Sequence, residues 1–213
     1  MCRILCVHGT APFSIAEHLT PFAALSKASR EYQGHGWGCA WLEGGEWRQY
    51  HNIAPIWEDP NPPQASTNLL LVHARSAFRD EGIVVENNMP FTDGKRVFIF
   101  NGELRGVRIK ADGRIGAEKI FNFIRRFDKG NFAEAVQRGV DVINKRTRYV
   151  RAMNFVIASP DEVHVSSTFG EDPDYFQMQH SRSESLNIVC SERYGDYHWQ
   201  AIDNHSNHHS TLS

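Results

Sequence analysis

Cys2 stands at the start of the 213-residue chain with only Met1 before it. Cysteine is small enough for an initiator methionine to be trimmed ahead of it, and the mature chain would then begin with a thiol and a free α-amine on one residue. The amine titrates near pH 7.7–8.0 and the thiol near about 8.5. Near neutrality part of the amine is therefore unprotonated and can take the thiol proton, a recognised way of activating a nucleophile. A cysteine in a first strand is equally a small hydrophobe. Asn101-Gly102 follows the apolar run Val97-Phe98-Ile99-Phe100. It offers a side-chain amide donor and a backbone N–H that a substrate can approach closely, and two donors are what a tetrahedral oxyanion requires. The same dipeptide at a strand end is a common turn signal. Arg75, in His73-Ala74-Arg75, can clamp a carboxylate in bidentate fashion or make an ordinary surface ion pair.

The elements that must position these residues follow from hydrophobic periodicity. Residues 2–7 form an apolar run broken by Arg3 and predict a first strand. Ser14 reads as an N-cap for a helix extending to about Tyr32. The Gly44-Gly45 pair predicts a hairpin between Cys39-Ala40-Trp41-Leu42 and residues 47–51, and the proline-rich stretch 55–63 predicts a surface excursion. Leu69-Leu70-Leu71-Val72 and residues 97–100 are uninterrupted apolar runs, as expected of strands covered on both faces. Residues 115–127 and 132–143 repeat at helical spacing, with Gly130 between them as a stop. Strands over 153–158, 163–167, 176–180 and 186–190 complete an α+β plan with antiparallel sheet and segregated helices. Residues 1–203 are expected to form a single domain, and the polar stretch 204–213 to be a frayed tail.

Taken in order, Cys2, His35-Gly36-Trp37-Gly38, His73-Ala74-Arg75, Glu86-Asn87-Asn88-Met89-Pro90-Phe91, Asn101-Gly102-Glu103-Leu104 and Ala117-Glu118 resemble the class II glutamine amidotransferases. The likeness is to stand-alone glutaminase-type members, with a looser echo at Asn154-Phe155 and Ser191-Glu192. The resemblance implies a four-layer αββα N-terminal nucleophile hydrolase sandwich with two mainly antiparallel sheets. It also implies the roles: Cys2 attacks an amide carbonyl, Asn101 and Gly102 hold the oxyanion, and Arg75 holds the substrate carboxylate. Ammonia or an amine then leaves a thioester that water hydrolyses. Gly116 stands where the family places the aspartate that grips the substrate's α-ammonium. A lost hydrogen bond between charged groups costs about 1.5–3 kcal/mol, so free glutamine is expected to bind weakly unless Asp112 or Glu118 substitutes. The substrate expected is glutamine or a γ-glutamyl amide. The rivals are a specialised γ-glutamyl amide hydrolase of a small-molecule pathway, and a catalytically silent domain that binds a ligand or partner. Released ammonia would pass to a separate synthase subunit or be lost.

Composition narrows the remaining classes. Twenty-three basic against 25 acidic residues give a net charge of -2, so no field of one sign points to nucleic acid or a membrane surface. The four cysteines make neither a disulfide framework nor a CxxC zinc pattern. No apolar run approaches about 18 residues, and no leader is expected before Met1-Cys2. A cytoplasmic enzyme without cofactor follows. His205, His208 and His209 are candidate metal ligands, but a frayed tail supplies no orienting shell, so no metal site is expected there.

Overall fold

A computed structural model describes residues 1–212. Among these the chain runs β1 (Arg3–Ser14), α1 (Ala16–Ala28), β2 (Trp37–Glu43), β3 (Glu46–Asn52), β4 (Ser66–Ala74), β5 (Phe91–Thr92), β6 (Val97–Val107), α2 (Gly116–Arg125) and α3 (Phe132–Lys145). It continues through β7 (Thr147–Ala158), β8 (Glu162–Ser167), the single turn α4 (Pro173–Phe176), β9 (Gln179–Arg182), β10 (Leu186–Cys190), β11 (Trp199–Ala201) and β12 (Ser206–Thr211). One sheet has the order β11-β9-β10-β1-β4-β2-β3 and the other β12-β8-β7-β6-β5. The strand pairs are antiparallel throughout.

The uninterrupted apolar runs mark strands with two covered faces. Successive side chains alternate across a sheet, so Ile4, Cys6, Leu69 and Leu71 pack toward the second sheet while Leu5, Val7, Leu70 and Val72 pack under α1 with Leu19, Phe22 and Leu25. On the second sheet Phe98 stacks on Phe121 of α2, ring centroids 5.0 Å apart. Val97, Ile99 and Asn101 therefore lie on the opposite face, toward the first sheet. Helix α1, the two sheets and the α2–α3 pair make four layers, the αββα sandwich that the resemblance implies. The accessible area of 10,272 Å² matches the roughly 10,000 Å² expected for a folded chain of this mass. Among the described residues no helix is long and apolar enough to cross a membrane.

Several local expectations are corrected. Ser14 ends β1 rather than capping α1; the N-cap is Ile15, which makes no side-chain cap bond, and the helix stops at Ala28. Asn101-Gly102 is not a turn: β6 continues through it, with Asn101 opposite Asn154 and Gly102 opposite Met153. Residues 173–176 are helical, so the strand expected over 176–180 is displaced to Gln179–Arg182. The polar stretch 204–213 is not frayed as far as it is described. Ser206–Thr211 forms edge strand β12 on β8, because ladder hydrogen bonds to β8 satisfy its backbone whatever the polarity of its side chains.

Candidate active site

The site forms where the start of β1 meets the end of β4 and the middle of β6. Arg3 pairs with Ala74 and Ile4 with His73, so Cys2 sits beside the His73-Ala74-Arg75 segment. Cys2 is 8% exposed. Sγ accepts the Ser76 N–H at 3.5 Å and lies 3.6 Å from the Ser76 carbonyl oxygen. Burial raises the thiol above its ordinary range, against the lowering effects of the terminal ammonium, Ser76 and Arg75. The sulfur is thus protonated near neutral pH and needs a base to become a nucleophile. With Met1 in place the Cys2 nitrogen is a peptide amide, which cannot serve as one.

Met1 is held closely. Its ammonium pairs with Glu31, and its carbonyl accepts from Gln33 Nε2 at 2.6 Å and the Tyr175 hydroxyl at 2.7 Å. Burial alone would raise the Glu31 carboxyl; the Met1 ammonium and Arg151 outweigh it and hold it below its usual range. Arg151 Nη2 reaches Glu31 at 3.1 Å, and its Nη1 lies 3.7 Å from Glu103 on β6. Met1 also packs on the Ala152, Phe169, Tyr175, Phe176 cluster. A Cβ on Gly102 would collide with the Ala152 carbonyl. These contacts bring the chain start and Asn101-Gly102-Glu103 to one place, although a hundred residues separate them in sequence.

Asn101 is 0% exposed, and neither its Nδ2 nor its Oδ1 has a hydrogen-bond partner. An unmet buried amide costs about 1–3 kcal/mol. Its cross-strand neighbour Asn154 is satisfied: Nδ2 donates to the Phe176 carbonyl at 2.6 Å and Oδ1 accepts the Thr168 N–H at 3.1 Å. Beside Asn101 the second sheet is open on one side, since β5 pairs only Phe91 with Phe98 and Thr92 with Val97. His73 is fully buried. Burial, with the Arg75 charge second, pushes its imidazole down to about 3 despite the nearby Phe100 carbonyl, so it is neutral across the physiological range. Neither ring nitrogen makes a hydrogen bond of good geometry.

Arg75 is also buried. Nη2 donates to the Gly82 carbonyl at 2.9 Å, and Nη1 lies at 3.5 Å from Asn88 Oδ1. Among the described residues no carboxylate lies within ion-pair distance of it. A buried guanidinium with no carboxylate beside it among the described residues is costly, and its geometry suits a carboxylate. The glycine-rich segment packs alongside: His35 N–H donates to the Arg75 carbonyl at 3.1 Å, and Arg75 N–H to the Gly36 carbonyl at 2.9 Å. Gly36 has φ +102°, and a Cβ there would strike Asn88 Nδ2, so only glycine allows this approach.

Gly116 is the first residue of α2, and a Cβ there would meet nothing within 4 Å. Glu118 is engaged elsewhere. It accepts the Arg114 N–H at 2.6 Å and Nη2 at 2.7 Å, and that hydrogen bonding holds its carboxyl below the usual range. The Arg114 guanidinium lies over the Phe91 ring at 5.4 Å, which places this helix start beside the 86–91 segment that contacts Arg75. Sequence reasoning missed Glu31, Gln33 and Tyr175. They lie in a helix-to-strand loop and a single helical turn without periodic pattern, and only the fold shows that they meet Met1.

No protein-family model and no curated protein sequence matches the chain. Solved structures do match. The 2.0 Å crystal structure of a "predicted glutamine amidotransferase" from Pseudomonas aeruginosa PA01 superposes with a TM-score of 0.62 at 14% identity, covering 100% of both chains. A glutamine aminotransferase class-II domain protein from Silicibacter pomeroyi gives 0.59 at 16% identity, over 95% of this chain and 92% of that one. The glutamine phosphoribosylpyrophosphate amidotransferase of B. subtilis gives 0.63 at 16% identity, over 89% of this chain but only 42% of its own length. The fold is that of class II glutamine amidotransferases.

Proposed function

We propose that the chain is an amidohydrolase of the class II glutamine amidotransferase type, with Cys2 as the nucleophile once Met1 has been removed. The observation that carries this reading is the buried, unpartnered amide of Asn101, on the face of β6 turned toward the sheet that carries Cys2 and His73. It is a donor without a receiver in a place where a tetrahedral oxyanion would supply one.

In the reaction, the freed Cys2 amine takes the thiol proton and the sulfur attacks the amide carbonyl carbon. The oxyanion accepts hydrogen bonds from Asn101 Nδ2 and the Gly102 N–H. The intermediate collapses to a thioester, and ammonia or an amine departs with a proton returned from the Cys2 ammonium. Water, deprotonated by the same amine, then attacks the thioester, giving a carboxylic acid and restoring the thiol. Arg75 holds the substrate carboxylate, the anion its burial calls for. Gly116 supplies no charge for an α-ammonium and Glu118 is committed to Arg114, which favours γ-glutamyl amides whose α-nitrogen is not a free ammonium over glutamine itself. Ammonia would pass to a separate synthase.

The test is product release across a panel of glutamine and γ-glutamyl amides, with wild type and Cys2→Ala compared and the intact mass of each recorded. Turnover by Met1-free wild type and none by Cys2→Ala is expected. Equal turnover by the two proteins, or full turnover by protein that retains Met1, overturns the reading.

A further inference from the structure

On the far edge of the second sheet, away from Cys2, β8 and β12 bring three potential metal ligands onto one face. Glu162 and His164 are two apart on β8, and His209 of β12 pairs directly with His164. Both imidazole Nε2 atoms lie 3.0 Å from Glu162 Oε2, and the three donor atoms fall within 4.8 Å of one another. The two rings stack at 4.6 Å with 14° between their planes. His164 is only 2% exposed, yet its Nε2 makes no hydrogen bond of good geometry. Glu162 Oε2 is hydrogen-bonded to His209 Nε2 at 3.0 Å, and the buried His164 nitrogen beside the same oxygen is left without a properly aligned partner.

We propose that Glu162, His164 and His209 form a binding site for a first-row divalent metal, zinc by preference, which staples the C-terminal strand β12 to β8. Two imidazoles and one carboxylate are an established zinc donor set, with a water completing the tetrahedron. Zinc–ligand bonds of about 2.0–2.2 Å at tetrahedral angles separate the donors by about 3.4 Å. Each imidazole must therefore move a few tenths of an ångström away from Glu162 Oε2, now 3.0 Å off, while donors up to 4.8 Å apart close by about an ångström through rotation of the exposed His209 ring. The surroundings fix the ligands. His164 packs edge-on against Phe132 of α3, centroids 5.3 Å apart, and Asn207 on the same strand face as His209 donates to Gln137 Oε1 of α3 at 2.8 Å. Arg96, whose charge reaches His164, pairs with Asp128 at 2.7 Å and lies 3.7 Å from Asp93. The site uses His209 of the three histidines the sequence offered. His208 points to the opposite face of β12, and its Nε2 lies 3.0 Å from Ser206 Oγ. The strand pairing that the sequence did not reveal provides the orienting shell.

The experiment is titration of the chelator-stripped chain with Zn²⁺ against a chromogenic competitor, and with Co²⁺ followed by visible absorption, for wild type, His209→Ala and His208→Ala. His209 is on an exposed edge, so its variant should fold; circular dichroism checks this. Wild type and His208→Ala should each bind one equivalent of Zn²⁺, give the intense absorption of tetrahedral Co²⁺, and melt about 5–10 °C higher with zinc at 100 times its dissociation constant. His209→Ala should bind Zn²⁺ more than about 100-fold more weakly, since even groups that merely orient a ligand are worth 10- to 100-fold. No zinc binding by wild type, equal binding by wild type and His209→Ala, or loss in His208→Ala overturns the proposal.

Discussion

Leucine substitution at two facing asparagines gives a direct measure of what Asn101 is for. Asn101 and Asn154 are cross-strand partners in β6 and β7, both fully buried, and leucine keeps the branching of either side chain. At position 154 the change strands the Phe176 carbonyl and the Thr168 N–H. Each orphaned group costs about 1–3 kcal/mol, together about 2–6 kcal/mol. At position 101 no protein group loses a partner, and an unmet amide is removed. The larger volume of leucine carries a packing cost of about 1–3 kcal/mol at both positions, which cancels in the comparison. Asn101→Leu should therefore be the more stable by at least about 2 kcal/mol. In a chain of this size each kcal/mol moves the melting temperature by about 2–4 °C, so the two variants should melt at least about 4 °C apart. Turnover should fall about 100- to 1,000-fold in Asn101→Leu, the usual cost of losing one oxyanion donor. Differential scanning calorimetry and an ammonia assay on both proteins read the two quantities. If Asn101→Leu melts at or below Asn154→Leu, or turns over like wild type, the amide is a packing group and the oxyanion argument fails.

His73 makes stability depend on pH. Its folded pKa of about 3 lies below its unfolded value of 6.5, so the unfolded state binds more protons between those limits. Stability is complete above pH 6.5 and falls toward pH 3 by about 1.4 kcal/mol per unit. Urea denaturation at pH 6.5 and 4.5 should show a shallower dependence in His73→Gln, and identical slopes would refute the assignment. Gly102→Ala should lower stability by about 1–3 kcal/mol because the new methyl meets the Ala152 backbone rather than a yielding side chain; an unchanged melting temperature would contradict this. Gly116→Asp faces open space and adds a carboxylate in the first turn of α2, worth about 0.3–1 kcal/mol to the helix. It should also tighten binding of free glutamine by about tenfold or more, measured by calorimetry on the Cys2→Ala background; a rise in stability without tighter binding would place residue 116 outside the substrate site.

The layering was legible in the sequence because two-sided burial leaves a plain mark, four consecutive apolar residues at 69–72 and 97–100, and because α2 and α3 have strong helical periodicity. What the sequence did not disclose were features decided by tertiary contact. Asn101-Gly102 has the composition of a turn, yet pairing with Asn154 and Met153 carries the strand through it. β12 consists of Ser, Asn, His and Thr, and only its ladder with β8 makes it a strand. The unpartnered amide of Asn101, and the lack of a carboxylate beside Arg75 among the described residues, are invisible in sequence, because they concern what neighbouring residues fail to supply.

The Ser191-Glu192 echo acquires a physical reason once β1 is in place, and it leads to a last prediction. A residue that is both nucleophile and base has to hold its sulfur and its nitrogen in fixed relation to the substrate, so the chain just after it must not move. Ser191 Oγ accepts the Ile4 N–H at 2.7 Å and donates to the Ile4 carbonyl at 3.1 Å. Glu192 meets Arg3 at 2.9 Å, and Arg3 Nε donates to Ser29 Oγ at 3.1 Å. Both residues that follow Cys2 are thereby pinned at the start of β1, before its first pair with β10 at Leu5. Ser191→Ala removes two buried hydrogen bonds at a cost of about 1–3 kcal/mol. If Ser191 positions the nucleophile, kcat should fall with KM little changed, and Ser191→Thr, which keeps the hydroxyl, should restore it. A residue of purely structural value would lower the melting temperature of Ser191→Ala and leave kcat of the folded fraction intact, and that outcome would separate the motif from catalysis.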